Sequence, residues 1–152
     1  MIDGSNLEAL LHEQGEIMCS TSGTSMWPML RHRQDMIVVG SESGDLKRHQ
    51  VPLYRLPSGK LILHRILKVK SDYYVIRGDN LFRKERVPKD WVIGVLKAFY
   101  RDGKYYDCEK SRAYKAYVFL NRVSYPLRYA WKKALLPFLV KIKHVILPVK
   151  TN

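Results

Sequence analysis

Leu96-Lys97-Ala98-Phe99-Tyr100-Arg101-Asp102-Gly103-Lys104-Tyr105-Tyr106-Asp107-Cys108 is the most legible stretch of this chain. Aromatic and apolar residues stand on both sides of Asp102-Gly103, a pair that tolerates the positive φ angles a two-residue hairpin turn demands. The stretch predicts a β-hairpin over 96–108. Towards the N-terminus, runs rich in branched and aromatic residues predict strands at 17–21, 36–39, 51–56, 61–69, 73–77 and 92–100. Ser43-Gly44-Asp45, Pro57-Ser58-Gly59 and Ser71-Asp72 supply turns between them. Short strands at near-regular spacing predict an antiparallel sheet that coils or partly closes. Ahead of it, Leu7, Leu10 and Leu11 at helical spacing predict a short helix over 6–14, with Ser5 as candidate N-cap and Gly15 as its stop.

From Ser111 the pattern turns helical. Tyr117, Leu120 and Val123, then Trp131, Leu135, Phe138, Leu139 and Ile142, recur at threes and fours, and Pro126 and Pro137 are expected to break or kink the run. The fold class expected is mainly β with added α: a domain over 1–110 and a tail of basic amphipathic helices over 111–152.

Composition bounds the function. At 152 residues, with 46% hydrophobic and 27% charged residues, the chain suits one globular domain with a modest core. All 14 acidic residues precede position 110, whereas 111–152 holds nine Lys/Arg and no acid, so the tail contributes most of the net charge of +13. Such a surface attracts anionic partners: nucleic acid, acidic lipid or acidic peptide. Cys19 and Cys108 are far apart and in no ligand or redox spacing, which points to free thiols and to no metal or cofactor. The N-terminus lacks the basic and apolar regions of a secretory signal, and no window is apolar enough for a spanning helix. A cytoplasmic or peripheral membrane location is expected.

Three motifs bear on chemistry. In Ser22-Gly23-Thr24-Ser25-Met26-Trp27-Pro28-Met29-Leu30, small hydroxyl residues and Gly predict a tightly turned backbone whose N–H groups converge as an oxyanion hole requires; an ordinary Ser-rich loop reads the same way. Leu61-Ile62-Leu63-His64-Arg65-Ile66-Leu67 sets a His in an apolar strand. It is either a satisfied core residue or a base for a serine, since an imidazole with a pKa near 6.5 is largely neutral at pH 7. Arg77-Gly78-Asp79-Asn80, followed by Glu85, is a turn or a source of the carboxylate that orients such a base.

In this order, Gly23-Thr24-Ser25-Met26-Trp27-Pro28, His64-Arg65-Ile66 and Gly78-Asp79-Asn80 resemble the superfamily of type I signal peptidases and self-cleaving SOS and phage repressors. The resemblance covers residues 17–108, including a late strand with Val92-Ile93-Gly94-Val95, and His64-Arg65 matches the endoplasmic-reticulum and archaeal variant, whose base is His. It implies a signal-peptidase-like fold for 1–110, Ser25 as nucleophile, His64 as base, and Asp79 or Glu85 as the orienting acid. Gly23, Thr24 and Met26 would flank the oxyanion and substrate site. Gly23 stands where many signal peptidases have Ser, so the hole would rest on backbone N–H groups, chiefly that of Ser25.

The expected activity is cleavage of a peptide or precursor protein in trans, of leader- or signal-peptide type. Only 24 residues precede Ser25, too few for a self-cleaved arm or a DNA-binding domain. The tail, with Arg112, Lys115, Arg122, Arg128, Lys132, Lys133, Lys141 and Lys143 among Tyr, Trp and Leu, suits either an anionic membrane surface or packing on the sheet. The competing readings are a non-catalytic peptide-binding member of the fold and a nucleic-acid-binding module, the latter without any RNA-binding box.

Overall fold

The structure, a computed structural model, describes residues 4–42 and 44–135. The chain divides into two compact units, Met1–Tyr117 and Val118–Asn152.

In the first unit, helix α1 (Gly4–Gln14) begins one residue ahead of Ser5, which therefore lies in the first turn instead of capping it. Gly15 ends the helix with φ 75° and returns its amide to the Leu11 carbonyl, the left-handed stop that a glycine adopts without steric cost. Leu7 and Leu11 are buried. A Cβ built on Gly94 would stand 2.7 Å from Leu11 Cδ2 and 2.8 Å from Val39 Cγ1, so the bare backbone at Gly94 is what lets Leu11 approach.

Among the described residues nine strands follow: β1 (Glu16–Ser20), β2 (Met36–Gly40), β3 (Pro52–Arg55), β4 (Leu61–Leu63), β5 (Arg65–Val69), β6 (Tyr73–Arg77), β7 (Glu85–Pro88), β8 (Val92–Arg101) and β9 (Lys104–Asp107). They are antiparallel, as expected, but divide between two sheets: a six-stranded one ordered β1-β2-β8-β3-β4 with β9 also on β8, and a three-stranded one ordered β5-β6-β7. The β8–β9 hairpin turns through Asp102 (φ 50°) and Gly103 (φ 73°), with Arg101 opposite Lys104. Bulges interrupt β2–β8, β3–β8 and β5–β6.

Two expectations fail in this region. The single strand over 61–69 is two strands, because β4 pairs with β3 in one sheet and β5 with β6 in the other, and His64 is the residue between them. Strand β7 escapes the sequence pattern because Glu85-Arg86-Val87-Pro88 sends only one apolar side chain, Val87, into the core. That core, Leu46, Tyr54, Ile66, Tyr74, Ile76, Val87 and Val95, draws on both sheets and so lies between them. Each such side chain contributes about 1.5–3 kcal/mol by leaving water, which fixes the second sheet against the first and with it the residues flanking the β4–β5 break.

Helix α2 (Arg112–Ala130) opens on Ser111, whose hydroxyl accepts the Tyr114 amide at 3.2 Å as an N-cap does. It runs through Pro126 without ending and passes into one π-helical turn, Trp131–Leu135. The helix does not break at Pro126, although the proline leaves the Arg122 carbonyl without its helical donor; both residues are exposed. In the second unit Phe119, Leu120, Val123, Leu127 and Trp131 are all exposed, Leu127 to 74%. Among the described residues no helix is long and apolar enough to cross a membrane. Pro137, Phe138, Leu139, Lys141, Ile142 and Lys143 lie outside the described residues.

Candidate active site

Residues 21–35 connect β1 to β2, and buried polar anchors set their path. The Asp35 carboxylate, fully buried, accepts from the backbone and guanidinium of Arg31 and from Arg101, and Arg101 Nη2 also donates to the carbonyls of Pro28 and Met29. Burial alone would raise the Asp35 pKa, but the two guanidiniums outweigh it and hold the carboxyl below its usual range. Met26, Met29 and Leu30 are buried beneath the loop while Trp27 is 54% exposed. Ser25 is half-buried between them. Met26, expected beside the substrate, is thus mostly an anchor of the loop, and Trp27 is its apolar surface residue.

The Gly78-Asp79-Asn80 box presses on this loop. Asn80 donates its amide to the Ser25 carbonyl at 2.8 Å and its side-chain N–H to the Thr24 carbonyl at 3.2 Å. A Cβ built on Gly78 would lie 2.7 Å from the Ser25 carbonyl oxygen and 3.1 Å from His64 Cδ2. The Ser25 backbone and the His64 ring, thirty-nine positions apart in the chain, therefore share a neighbour whose missing side chain leaves them room. Among the described residues no hydrogen bond joins Ser25 Oγ to His64; such bonds often tighten only when substrate binds.

His64 is buried, and its ring is held at one nitrogen. The Tyr54 hydroxyl lies 3.2 Å from His64 Nδ1 and donates to Glu85 Oε2 at 2.9 Å, while Nδ1 and Oε2 are 3.6 Å apart. A phenol has one proton. With that proton given to Glu85, Nδ1 must be the donor to the tyrosine oxygen, which leaves Nε2 with the lone pair a general base needs. Burial lowers the His64 pKa and the Glu85 charge partly restores it, for a net value below 6.5. The ring is therefore neutral at pH 7.

Asp79 serves another partner. It forms a two-bond ion pair with Arg65, Nε to Oδ1 at 2.8 Å and Nη2 to Oδ2 at 2.7 Å, both residues being buried. Arg65 Nη1 also donates to the His49 carbonyl and the Tyr114 hydroxyl, and Tyr117 donates to Asp79 Oδ2 at 3.1 Å. Desolvation opposes the charge on Arg65, but Asp79 more than offsets it and raises the pKa. Of the two carboxylates left open by the sequence, Glu85 is hydrogen-bonded into the imidazole network, while the Asp79 charge acts on His64 and its carboxylate is paired with Arg65.

Gly23 has φ 94° and donates its amide to His32 Nδ1 at 2.8 Å, so that N–H is engaged. The Ser25 and Met26 amides take no hydrogen bond among the described residues, and Thr24 is exposed beside them. They share this with the Thr24 amide, and the three adjoin the serine as candidate donors to an oxyanion. Among the described residues no group of three or more His, Cys, Asp or Glu has the placement to hold a metal ion. Sequence reasoning missed Tyr54, which sits three positions into a predicted strand as an ordinary core aromatic, and gave Arg65 no role beyond its place in the His64-Arg65 motif. Compared with models of known families, with curated proteins and with solved structures, the chain has no match.

Proposed function

We propose that the protein is a serine endopeptidase of the signal-peptidase type that cleaves a peptide or precursor protein in trans, with Ser25 as nucleophile and His64 as general base. One observation carries this: Ser25 and His64 converge on Gly78, and the Tyr54–Glu85 pair holds the imidazole in the tautomer that exposes a basic Nε2.

In the proposed cycle Ser25 Oγ attacks the scissile carbonyl as His64 Nε2 takes its proton, and the amides of Ser25 and Met26 receive the oxyanion. The imidazolium lies 3.6 Å from Glu85 Oε2, which stabilises its charge until Nε2 protonates the leaving amine. Water, deprotonated by the same nitrogen, then releases the acyl group. The test is an active-site-directed fluorophosphonate together with a peptide library digested by the full chain. Stoichiometric labelling of Ser25, library cleavage, and loss of both in Ser25→Ala with an unchanged melting midpoint are expected. Equal labelling of Ser25→Ala, or neither labelling nor cleavage by the wild type, overturns the proposal.

We also infer that the second unit seats α2 on anionic lipid. Leu120, Val123, Leu127 and Trp131 recur at threes and fours and stay exposed, while Arg122, Lys132 and Lys133 lie among them on an acid-free helix; each cation near such a surface contributes about 1 kcal/mol. Vesicles with phosphatidylglycerol should retain the protein, and pure phosphatidylcholine or the Leu127→Ser, Trp131→Ser variant should release it. Equal retention in all three cases refutes the inference.

A further inference from the structure

The second sheet turns Ile66, Tyr74, Ile76 and Val87 inward. Its opposite face carries the registered row Lys68, Val75 and Arg86, one residue from each of β5, β6 and β7. A groove of about 350 Å³ lies over this row, with Leu67 and Val75 as apolar floor, Lys68, Lys70, Lys84 and Arg86 as walls, and Glu85 at one side. Among the described residues none of those four cations is in an ion pair, although cations elsewhere are: Lys89 with Asp45, Lys97 with Glu42, Arg31 with Asp35. The groove's one acid, Glu85, already accepts from Tyr54. Four like charges around a small apolar cleft repel one another and concentrate anions.

We propose that this groove binds an acidic segment of the peptide substrate. The inference rests on the peptidase reading and names the substrate class for it. Neighbouring strands stand about 4.8 Å apart, so Lys68 and Arg86, two strands apart, are separated by roughly 10 Å; an extended peptide advances about 3.3 Å per residue and spans this with carboxylates two or three residues apart. Apolar side chains between those carboxylates rest on Leu67 and Val75. A nucleic acid fits less well: the Arg86 guanidinium stands 5.7 Å over the Tyr73 ring, so the aromatic face a base would stack on is covered. Glu85 lines the groove and also belongs to the imidazole network, although the imidazole lies on the other face of the sheet.

The test uses the full chain carrying Ser25→Ala, which separates binding from turnover. A fluorescent peptide with Asp and Glu spaced among Leu and Ala is compared by anisotropy with its Asn/Gln counterpart and with a single-stranded oligonucleotide. The acidic peptide should bind about tenfold or more tightly than the neutral one. Lys68→Glu with Arg86→Glu should abolish that preference, the Gln pair should weaken it, and a tail control of Arg122→Glu, Lys132→Glu and Lys133→Glu should leave it intact. Equal binding of the two peptides, loss only in the tail control, or tighter groove-dependent binding of the oligonucleotide each overturns the inference. Library peptides cleaved without acidic enrichment would refute the groove alone. Acidic binding with no cleavage or labelling of the wild type would refute the peptidase reading and leave the groove standing.

Discussion

Gly78→Ala tests the convergence on which the proposed chemistry depends. The added methyl would sit 2.7 Å from the Ser25 carbonyl oxygen, against ordinary contact from 3.4 Å, and 3.1 Å from His64 Cδ2. The nucleophile's backbone must then retreat by about 0.7 Å, and the imidazole by a few tenths, in a geometry where about 1 Å of misplacement costs on the order of 100-fold in rate. The expected fall in kcat/KM is about 10- to 100-fold, or roughly 1.4–2.7 kcal/mol of transition-state stabilisation. Overpacking also costs about 1–3 kcal/mol of stability, so the two effects must be separated. Leu81 Cδ1, 3.0 Å from the same methyl, allows this: adding Leu81→Ala relieves one crowded contact but not the one with Ser25. Fluorophosphonate labelling rates and urea melts of the single and double variants should show stability partly recovered and reactivity not. Wild-type labelling in a stably folded Gly78→Ala would mean that the serine and the imidazole do not depend on this spacing, and the argument would fail.

Glu85→Gln removes the charge that props up the His64 pKa against burial. Since the neutral ring is the active form, the acid limb of the kcat/KM profile should move to lower pH, while the plateau falls about 10- to 100-fold as the imidazolium loses its counter-charge; a limb displaced to higher pH contradicts the assignment. Asp79→Asn should act on stability, because it strands the buried Arg65 guanidinium at a cost of about 3–5 kcal/mol, read as a lower urea midpoint; a loss below about 1 kcal/mol would show that the pair does not hold the loops. His64 itself links stability to pH. Its folded pKa is depressed, so its contribution is whole above about 6.5 and is lost as pH falls through the folded value; His64→Gln should flatten that part of the wild-type melting curve between about pH 7 and 5, and an unchanged slope would refute the linkage.

Local pattern made the β8–β9 hairpin readable, because its turn depends on two residues that tolerate φ above zero, Asp102 and Gly103. The same logic found α1 and its stop at Gly15. It could not divide 61–69, since branched apolar residues stand on either side of His64, Leu61–Leu63 before it and Ile66, Leu67 and Val69 after it, and only pairing with different partners shows that the chain changes sheets there. Strand β7 was hidden because Glu85 and Arg86 are charged and its one core residue gives no alternation to detect. The motif residues Ser25, His64 and Asp79 stood out as chemistry, whereas Tyr54 did not: a Tyr in a strand reads as core, and its hydroxyl becomes meaningful only when the β4–β5 junction and β7 bring His64 and Glu85 to it.

The same pairing explains why His64 is followed by Arg, and why Asp lies between Gly78 and Asn80. Gly78 makes room for the serine and the imidazole, and Asn80 fastens the Ser25 backbone, but both act correctly only if β5 and the turn after β6 keep a fixed register. Arg65 and Asp79 supply that register with two parallel bonds across the turn, and Tyr114 and Tyr117 close over the pair from α2. A hydrophobic pair of similar volume would cost less desolvation, yet it would not specify direction. The bidentate geometry does, so the ion pair is best understood as a device that aligns the His64 and Gly78 segments.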